Sequence, residues 1–388
     1  MVSELIKKLN SRQLSYNNED LLACSTDASG VIGSAALCVW PESIDDVIQV
    51  IEEAKKSDLD LVARGAGTGL VGGCVPQNSI VIDFSKMNQI IEVNKNDKTA
   101  IVQPGVVLDQ LNEFLKKDDL VFPVIPGSHS VCTLGGMAAT NAAGIWSLKF
   151  GRMSDWLEEL WLVNGNGEVI NISGDKIKEI VGSEGLNGLI VKMKLKLVNK
   201  IEETYVIMAS GHNVADLLAM VGDWKKIPGL LSLEFISPLI ASRLGLEEKY
   251  YLFAEIEGPN KSEVEVLKFW HKREGSAPLM IGSGYPIIED PLVPEPGAKE
   301  ILNWFSKNAV PVFGHIGVGI FHPHFRPEEK EKIKEMYDLV NQLGGKVSGE
   351  HGIGLKKKQF LDNFELKYRR DLKNKFDPNG IFNRGKVI

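Results

Sequence analysis

The stretch "ARGAGTGLVGG", Ala63 to Gly73, follows an apolar run, "LDLV", that reads as a β-strand. Glycines at 65, 67 and 69 allow a sharp backbone turn and can present successive N–H groups to an anion, for which a diphosphate is the natural guest. The dinucleotide fingerprint GxGxxG needs a helix immediately behind it. Here the spacing is GxGxG, and "LVGGCVP" does not read as a helix start. A nucleotide-triphosphate loop would need a lysine–threonine pair, which the run lacks. On its own the run is compatible with a purely structural turn.

Two further segments share its character. "PGSHSVCTLGGMAATNAAGIWSLKFG", Pro126 to Gly151, mixes glycines and alanines with hydroxyls and Asn141. Small side chains there permit close approach of a large flat ligand, and the hydroxyls and amides offer neutral hydrogen bonds. "GSEGLNGLIVK", Gly182 to Lys192, again sets glycines before a strand. Three such segments within one part of the chain are poorly explained as turns alone.

Around them the pattern is mixed α and β. "ESIDDVIQVIEEAKKSD" reads as a helix with Ser43 as N-cap, acids at its positive end and Val47, Ile48, Ile51 and Ala54 on one face. "SIVIDFSKMNQIIEVN" and "TAIVQPG" read as paired strands. "LEELWLVNGNGEVINIS" reads as a hairpin turning at Asn166-Gly167. Beyond Lys200, short strands ("TYVIMAS", "LLSLEFIS", "YYLFAEIEG") alternate with helices, the order of a ferredoxin-like α+β unit with an antiparallel sheet. The predicted domains are therefore 1–200, rejoined by the tail 376–388, and 201–375.

Length and composition fit this division. A chain of 388 residues exceeds what one core usually holds, and 44% apolar with 24% charged residues is ordinary for a soluble globular protein. A net charge of −7 carries no basic footprint, so nucleic acid is not expected as a partner. The four cysteines lack CxxC spacing, which argues against a local zinc or iron–sulfur site and for reduced thiols in a cytoplasmic protein. "MVSELIKKLN" lacks the apolar run of a leader, and no stretch approaches the roughly 18 apolar residues of a spanning helix.

The second cluster of chemistry is late in the chain. "GHIGVGIFHPHF" contains His315, His322 and His324, and "GGKVSGEHGIG" contains Glu350 and His351 among glycines. Two imidazoles and a carboxylate, His315, His322 and Glu350, form a ligand set for a divalent ion with a position left open. The gap between the first two histidines suits two strand ends joined by a Gly-x-Gly bend. A metal-dependent hydrolase would explain this cluster while leaving the three glycine segments idle.

Taken together, "RGAGTGL", "PGSHSVCTLGGMAATNAAG", "GSEGLNG", "GHIGVGIFH", "SGEHGIG" and "DPNGIFNRGKV" resemble, in order and over residues 35–388, the FAD-linked oxidases and dehydrogenases of the vanillyl-alcohol-oxidase type. The branch is that of D-lactate dehydrogenase, the glycolate oxidase flavin subunit and D-2-hydroxyglutarate dehydrogenase. The resemblance implies an α+β fold, a PCMH-type two-subdomain FAD-binding domain plus a ferredoxin-like cap domain with an antiparallel sheet. It implies noncovalent FAD held by Arg64, Gly65, Ala66, Gly67, Thr68, Gly69 and Leu70, lined by Pro126, Gly127, Ser128, Thr133, Gly136, Asn141 and Gly144, with Glu184, Ile190 and Asn383 completing the shell. It also implies a divalent metal (zinc foremost, manganese or iron as alternatives) on His315, His322 and Glu350, and His351 as catalytic base, with His324 outside the motif. Arg273, in "FWHKRE", aligns with an arginine that receives the substrate carboxylate, and a solvated helix-end charge is its plain alternative.

The implied reaction is oxidation of a D-2-hydroxy acid to the 2-oxo acid by hydride transfer to flavin N5. Electrons would pass to a separate quinone, electron-transfer protein or partner subunit, through which the protein could associate with a membrane, and a homodimer is an open expectation. A non-catalytic flavin subunit, or a sugar or lactone oxidase, is the alternative within the fold. Val318 and Ile320 stand where such relatives carry Asp and Asn, and that departure bears on the substrate. Glycines beside Glu350 and His351 are expected because side chains there would crowd flavin and substrate.

Overall fold

The computed structural model describes residues 9–388, so most of the N-terminal stretch read for a leader lies outside the described residues. The chain forms two units. The first consists of residues up to Ala142, Arg152–Lys200 and His351–Ile388, and the second of Ala143–Gly151 and Ile201–Glu350.

The first unit holds two main sheets. In one, strands Ser34–Val39, Gln77–Asp83 and Leu61–Arg64 lie parallel, with Leu14–Ser15 antiparallel on the edge. Helix Ile44–Ser57 packs on it. Ser43 accepts the Asp46 N–H at 3.2 Å and the Asp46 carboxylate accepts the Ser43 N–H at 3.0 Å, the reciprocal cap expected of that sequence. Val47, Val50, Ile51 and Ala54 are buried in the core that includes Leu37, Leu61, Ile80 and Ile82. The C-terminal tail runs beside Leu61, which donates to the Ile381 carbonyl and accepts from the Asn383 N–H.

The second sheet has the order Ile90–Asn94, Thr99–Val102, Leu189–Lys196, Leu157–Val163 and Val169–Ser173, all antiparallel. The hairpin turns at Gly167, whose φ of +88° suits glycine. Leu189–Lys196 buries alternate residues and leaves its lysines on the wet face, with Lys192 lying 3.8 Å above the Trp161 ring.

One expected pairing is corrected. "SIVIDFSKMNQIIEVN" is two strands in different sheets, separated by the 3₁₀ turn Phe84–Lys86, and only Ile90–Asn94 pairs with Thr99–Val102. Ser79, Ile80, Val81 and Ile82 are buried on both faces, as a parallel strand inside a sheet demands.

The second unit is a six-stranded antiparallel sheet in the order Thr204–Gly211, Tyr250–Glu257, Leu230–Ile236, Val312–His315, Ile320–Phe325, Ile287–Ile288. In the first three, Tyr250–Glu257 lies between Thr204–Gly211 and Leu230–Ile236, the strand exchange of a ferredoxin-like unit, and the last three extend it. Helix Ala298–Lys307 brings Phe305 against Phe321, which also meets Phe235 edge-on, with ring centroids 6.0 and 5.8 Å apart.

One expected domain boundary moves and one short segment changes unit. The chain rejoins the first unit at His351 rather than at 376, because Glu184 accepts the Ile353 and Gly354 N–H groups and Val71 accepts that of Leu355. Residues 143–151 join the second unit, where the Trp146 indole donates to Glu255 at 2.8 Å and Lys149 reaches Glu257 at 2.6 Å. His351, expected in the cap domain, therefore belongs to the first unit.

Phe321→Ala removes the ring around which the sheet carrying His315 and His322 packs. It should lower unfolding stability by about 3–5 kcal/mol, read from denaturant midpoints at unchanged slope. A loss below about 1 kcal/mol would contradict this packing.

Candidate active site

His315 ends strand Val312–His315 and His322 lies in Ile320–Phe325, the two joined by a turn in which Gly319 has φ +77°. Phe313 faces His322 in register, so His315 and His322 project from the same side of the hairpin. Their rings meet edge-on, with centroids 5.4 Å apart. Glu350 Oε1 lies 2.9 Å from His322 Nε2 and 3.7 Å from His315 Nε2. Ligand atoms of the three residues all fall within 4.8 Å of one another. Two imidazole nitrogens and one carboxylate oxygen converging this closely fit a divalent ion with room for an exogenous ligand.

Buried acids hold this arrangement. Asp290, fully buried, accepts the Glu350 N–H at 2.7 Å and the Ser348 hydroxyl at 2.8 Å, and its carbonyl accepts the Gly349 N–H at 2.6 Å. Glu234, also fully buried, lies 2.6 Å from His315 Nδ1 through Oε1, and its Oε2 pairs with Arg273 Nη2. Burial favours the neutral forms of Glu234 and Glu350, but the neighbouring imidazoles, with Arg273 beside Glu234, overcome this and hold both carboxyls below the usual range, Glu350 well below it. For His315, burial disfavours the charge, yet Glu234 and Glu350 raise its pKa to about 10.

Arg273 thus faces Glu234, 8% exposed, with its guanidinium 4.7 Å above the centre of the Phe313 ring. That is neither the free helix-end charge nor an open carboxylate clamp. His324 is a core residue, with Nδ1 3.2 Å from the Tyr285 carbonyl. Glu234 and Asp290 were missed in the sequence. The available signal was a lone acid in an apolar strand, "LLSLEFIS", whereas Asp290 in "EDP" gave none.

In the first unit, Gly65 to Gly69 form an open turn after Leu61–Arg64, with no helix following. A Cβ at Gly65 would meet Thr133 Oγ1 at 2.3 Å, and Gly67 has φ +70°. At Gly69 the nearest atom to such a Cβ is 3.8 Å away, and at Gly127 none lies within 4 Å. Ala66, Thr68, Leu70, Pro126 and Ser128 share these accessible loops. Thr133 caps helix Leu134–Thr140 by accepting the Gly136 N–H, and Asn141, with φ +51°, accepts the Ser154 N–H. Open backbone at Gly69 and Gly127 amid small, neutral polar residues fits a dinucleotide.

Several expected shell residues are occupied by the protein itself. Arg64 braces the turn, donating to the Thr26 carbonyl at 2.6 Å with Nη2 beneath Gly67. Glu184, at φ +53°, accepts the Ile353 and Gly354 N–H groups at 2.7 and 2.9 Å. Asn383 donates to the Glu184 carbonyl. Ile190 packs partly buried against the second-sheet core, and Gly144 belongs to the second unit.

The glycines around His351 also answer to packing. A Cβ at 349 would strike Ile320 at 2.9 Å, at 352 Glu184 at 2.7 Å, and at 354 the Val71 carbonyl at 2.3 Å. Crowding by the protein, rather than by flavin or substrate, excludes side chains there.

Comparison with known proteins places the chain among FAD-linked oxidoreductases. Residues 35–173 match the family model described as FAD binding domain, and residues 253–387 match FAD linked oxidases, C-terminal domain. The chain is 27% identical to glycolate oxidase subunit GlcD of Bacillus subtilis, covering 99% of this chain and 96% of that protein. It is 29% identical to a D-lactate dehydrogenase of Archaeoglobus fulgidus and 26% identical to a D-2-hydroxyglutarate dehydrogenase of Stutzerimonas stutzeri, with 90% of each chain covered in both cases. A solved alkyldihydroxyacetonephosphate synthase shares the fold, with a TM-score of 0.73 at 18% identity over 99% of this chain and 84% of that one.

His315 keeps its proton to about pH 10, and an ion can use its Nε2 only once a proton leaves. Zinc binding near neutral pH should therefore release protons to the buffer and tighten as pH rises, measured by calorimetry in buffers of different ionisation enthalpy. Without metal, the raised pKa adds stability that is complete below the unfolded value of about 6.5 and fades as pH climbs towards the folded one. Binding without proton release would show that His315 is neutral beforehand.

Proposed function

We propose that this chain, which belongs to the FAD-linked oxidases and dehydrogenases of the vanillyl-alcohol-oxidase type, oxidises a 2-hydroxy acid such as D-lactate or glycolate to the 2-oxo acid. The observation that carries the reading is the convergence of His315, His322 and Glu350 in a flavoprotein chain. A hydrolase would have no use for the FAD binding domain. When bound, FAD supplies the two-electron acceptor and a divalent ion supplies a Lewis acid for the substrate hydroxyl.

The residues of the chain do the rest. The turn Gly65–Gly69 offers N–H groups to the diphosphate, while Gly127 and the small residues near it admit the flavin. His315, His322 and Glu350 hold the ion. His351, next in the chain to Glu350, takes the hydroxyl proton as base, so that one proton goes to imidazole while two electrons and the α-hydrogen leave together. Glu184 fixes the backbone two and three residues beyond His351 and limits where that imidazole can go. Reoxidation falls to a separate quinone, electron-transfer protein or partner subunit.

A second reading, a flavin subunit that turns over only within an assembly, is favoured by Ile320. At a position where polar substrate contact is expected, this chain has a fully buried apolar side chain.

The purified protein should be yellow, and its visible absorbance should bleach without oxygen on addition of the right 2-hydroxy acid. Glu350→Gln should lose metal. His351→Ala should keep both flavin and metal while turnover with an artificial acceptor drops about 10²–10⁴-fold. A colourless protein would sink the proposal, and turnover indifferent to a chelator would remove the metal from it.

A further inference from the structure

We infer that Glu234 is a positioning residue for the metal centre: it fixes which nitrogen of His315 faces the ion, and Arg273 serves Glu234 instead of the substrate. The inference rests on the metal reading proposed above. Glu234 lies in the middle of a central strand, fully buried, between Leu233 and Phe235. An ionised carboxylate in that position is costly unless both oxygens are engaged. They are divided between two partners, Oε2 on Arg273 and Oε1 on His315 Nδ1 at 2.6 Å.

A structural ion pair would be complete with Arg273 alone. The second contact has a chemical consequence. A carboxylate can only accept, so Nδ1 must carry a hydrogen, and the lone pair available to an ion is on Nε2. Nε2 is the His315 nitrogen near Glu350, at 3.7 Å. A carboxylate behind a ligating histidine sets the tautomer, fixes the ring and raises its basicity.

Arg273 completes the device. Its guanidinium neutralises Glu234, so the carboxylate stays ionised, and its stacking over Phe313 ties it to the strand that carries His315. A guanidinium spent in this way makes a poor clamp for a substrate carboxylate.

The test uses the flavin-loaded protein and zinc as the probe, with affinity measured by competition against a chelating dye. Glu234→Ala should weaken zinc roughly 10–100-fold, and Glu234→Gln should fall between it and the native protein because the amide oxygen still accepts from Nδ1. Flavin content should not change, and the visible spectrum of the cobalt-substituted protein should shift in the same graded order. If a single variant fails to fold, Glu234→Ala combined with Arg273→Met removes both buried charges and should show the same loss of zinc affinity. Equal zinc affinity in the native protein and these variants overturns the inference and leaves the metal reading standing. A native protein that binds no zinc, manganese or iron overturns both. A Michaelis constant raised about tenfold or more in Arg273→Met, with zinc affinity unchanged, returns Arg273 to the substrate.

Discussion

Two buried carboxylates grip the backbone of one short segment, and the candidate chemistry depends on both grips. Asp290 takes the N–H of Glu350 within the second unit, and Glu184 takes the N–H groups of Ile353 and Gly354 within the first. The segment "SGEHGIG" has no helix or strand to satisfy these donors, and a buried N–H left unpaired costs about 1–3 kcal/mol. Accepting acids supply the partners and at the same time fix where the side chains emerge. Glycine is needed at 349, 352 and 354 because the gripping residues and their neighbours approach too closely for a Cβ.

The same economy of buried charge governs the ligand cluster. Glu234 and Glu350 flank His315 on its two nitrogens, and His322 shares Glu350. In the absence of an ion, protonated imidazole supplies the positive charge that the two carboxylates require, which is why His315 is so basic. A divalent cation can take over that role at the cost of a proton. The cluster is therefore stable as a set of hydrogen bonds and is also arranged as a ligand set, and strands that face each other in register bring the two uses together.

Much of this was legible in the sequence because its causes are local. The Ser43 cap, the Asn166-Gly167 turn, the alternating lysines of Leu189–Lys196 and the Gly-x-Gly bend between His315 and His322 all follow from residues a few positions apart. The meeting of His315 and His322 was legible too, since the two imidazoles share one hairpin. What stayed hidden depends on distant pairing. Gln77–Asp83 reads like any apolar strand, and only its parallel neighbours show which sheet it enters. Glu184 was expected in the flavin shell from the resemblance of "GSEGLNG", but its carboxylate partners lie at 353 and 354. Arg273, on helix Val264–Glu274, looked available because the acid that claims it lies on a strand distant in sequence, at 234.

Ile320 shows how such a distant contact alters the chemistry expected of a motif. It is fully buried, and a Cβ at Gly349 would meet its side chain at 2.9 Å. An amide at this position would need hydrogen-bond partners inside that packing, whereas isoleucine fills the space beside the segment that presents Glu350. The residue has thus become part of the support for Glu350. Under the proposed reaction, recognition of the acid must then come from groups other than residue 320, and Arg273 is already engaged with Glu234. Under that same proposal the hairpin can stay constant while the surrounding contacts change which hydroxy acid is accepted, because His315 and Glu350 are held from behind by Glu234 and Asp290 and owe nothing to the side chains at 318 and 320 for those hydrogen bonds.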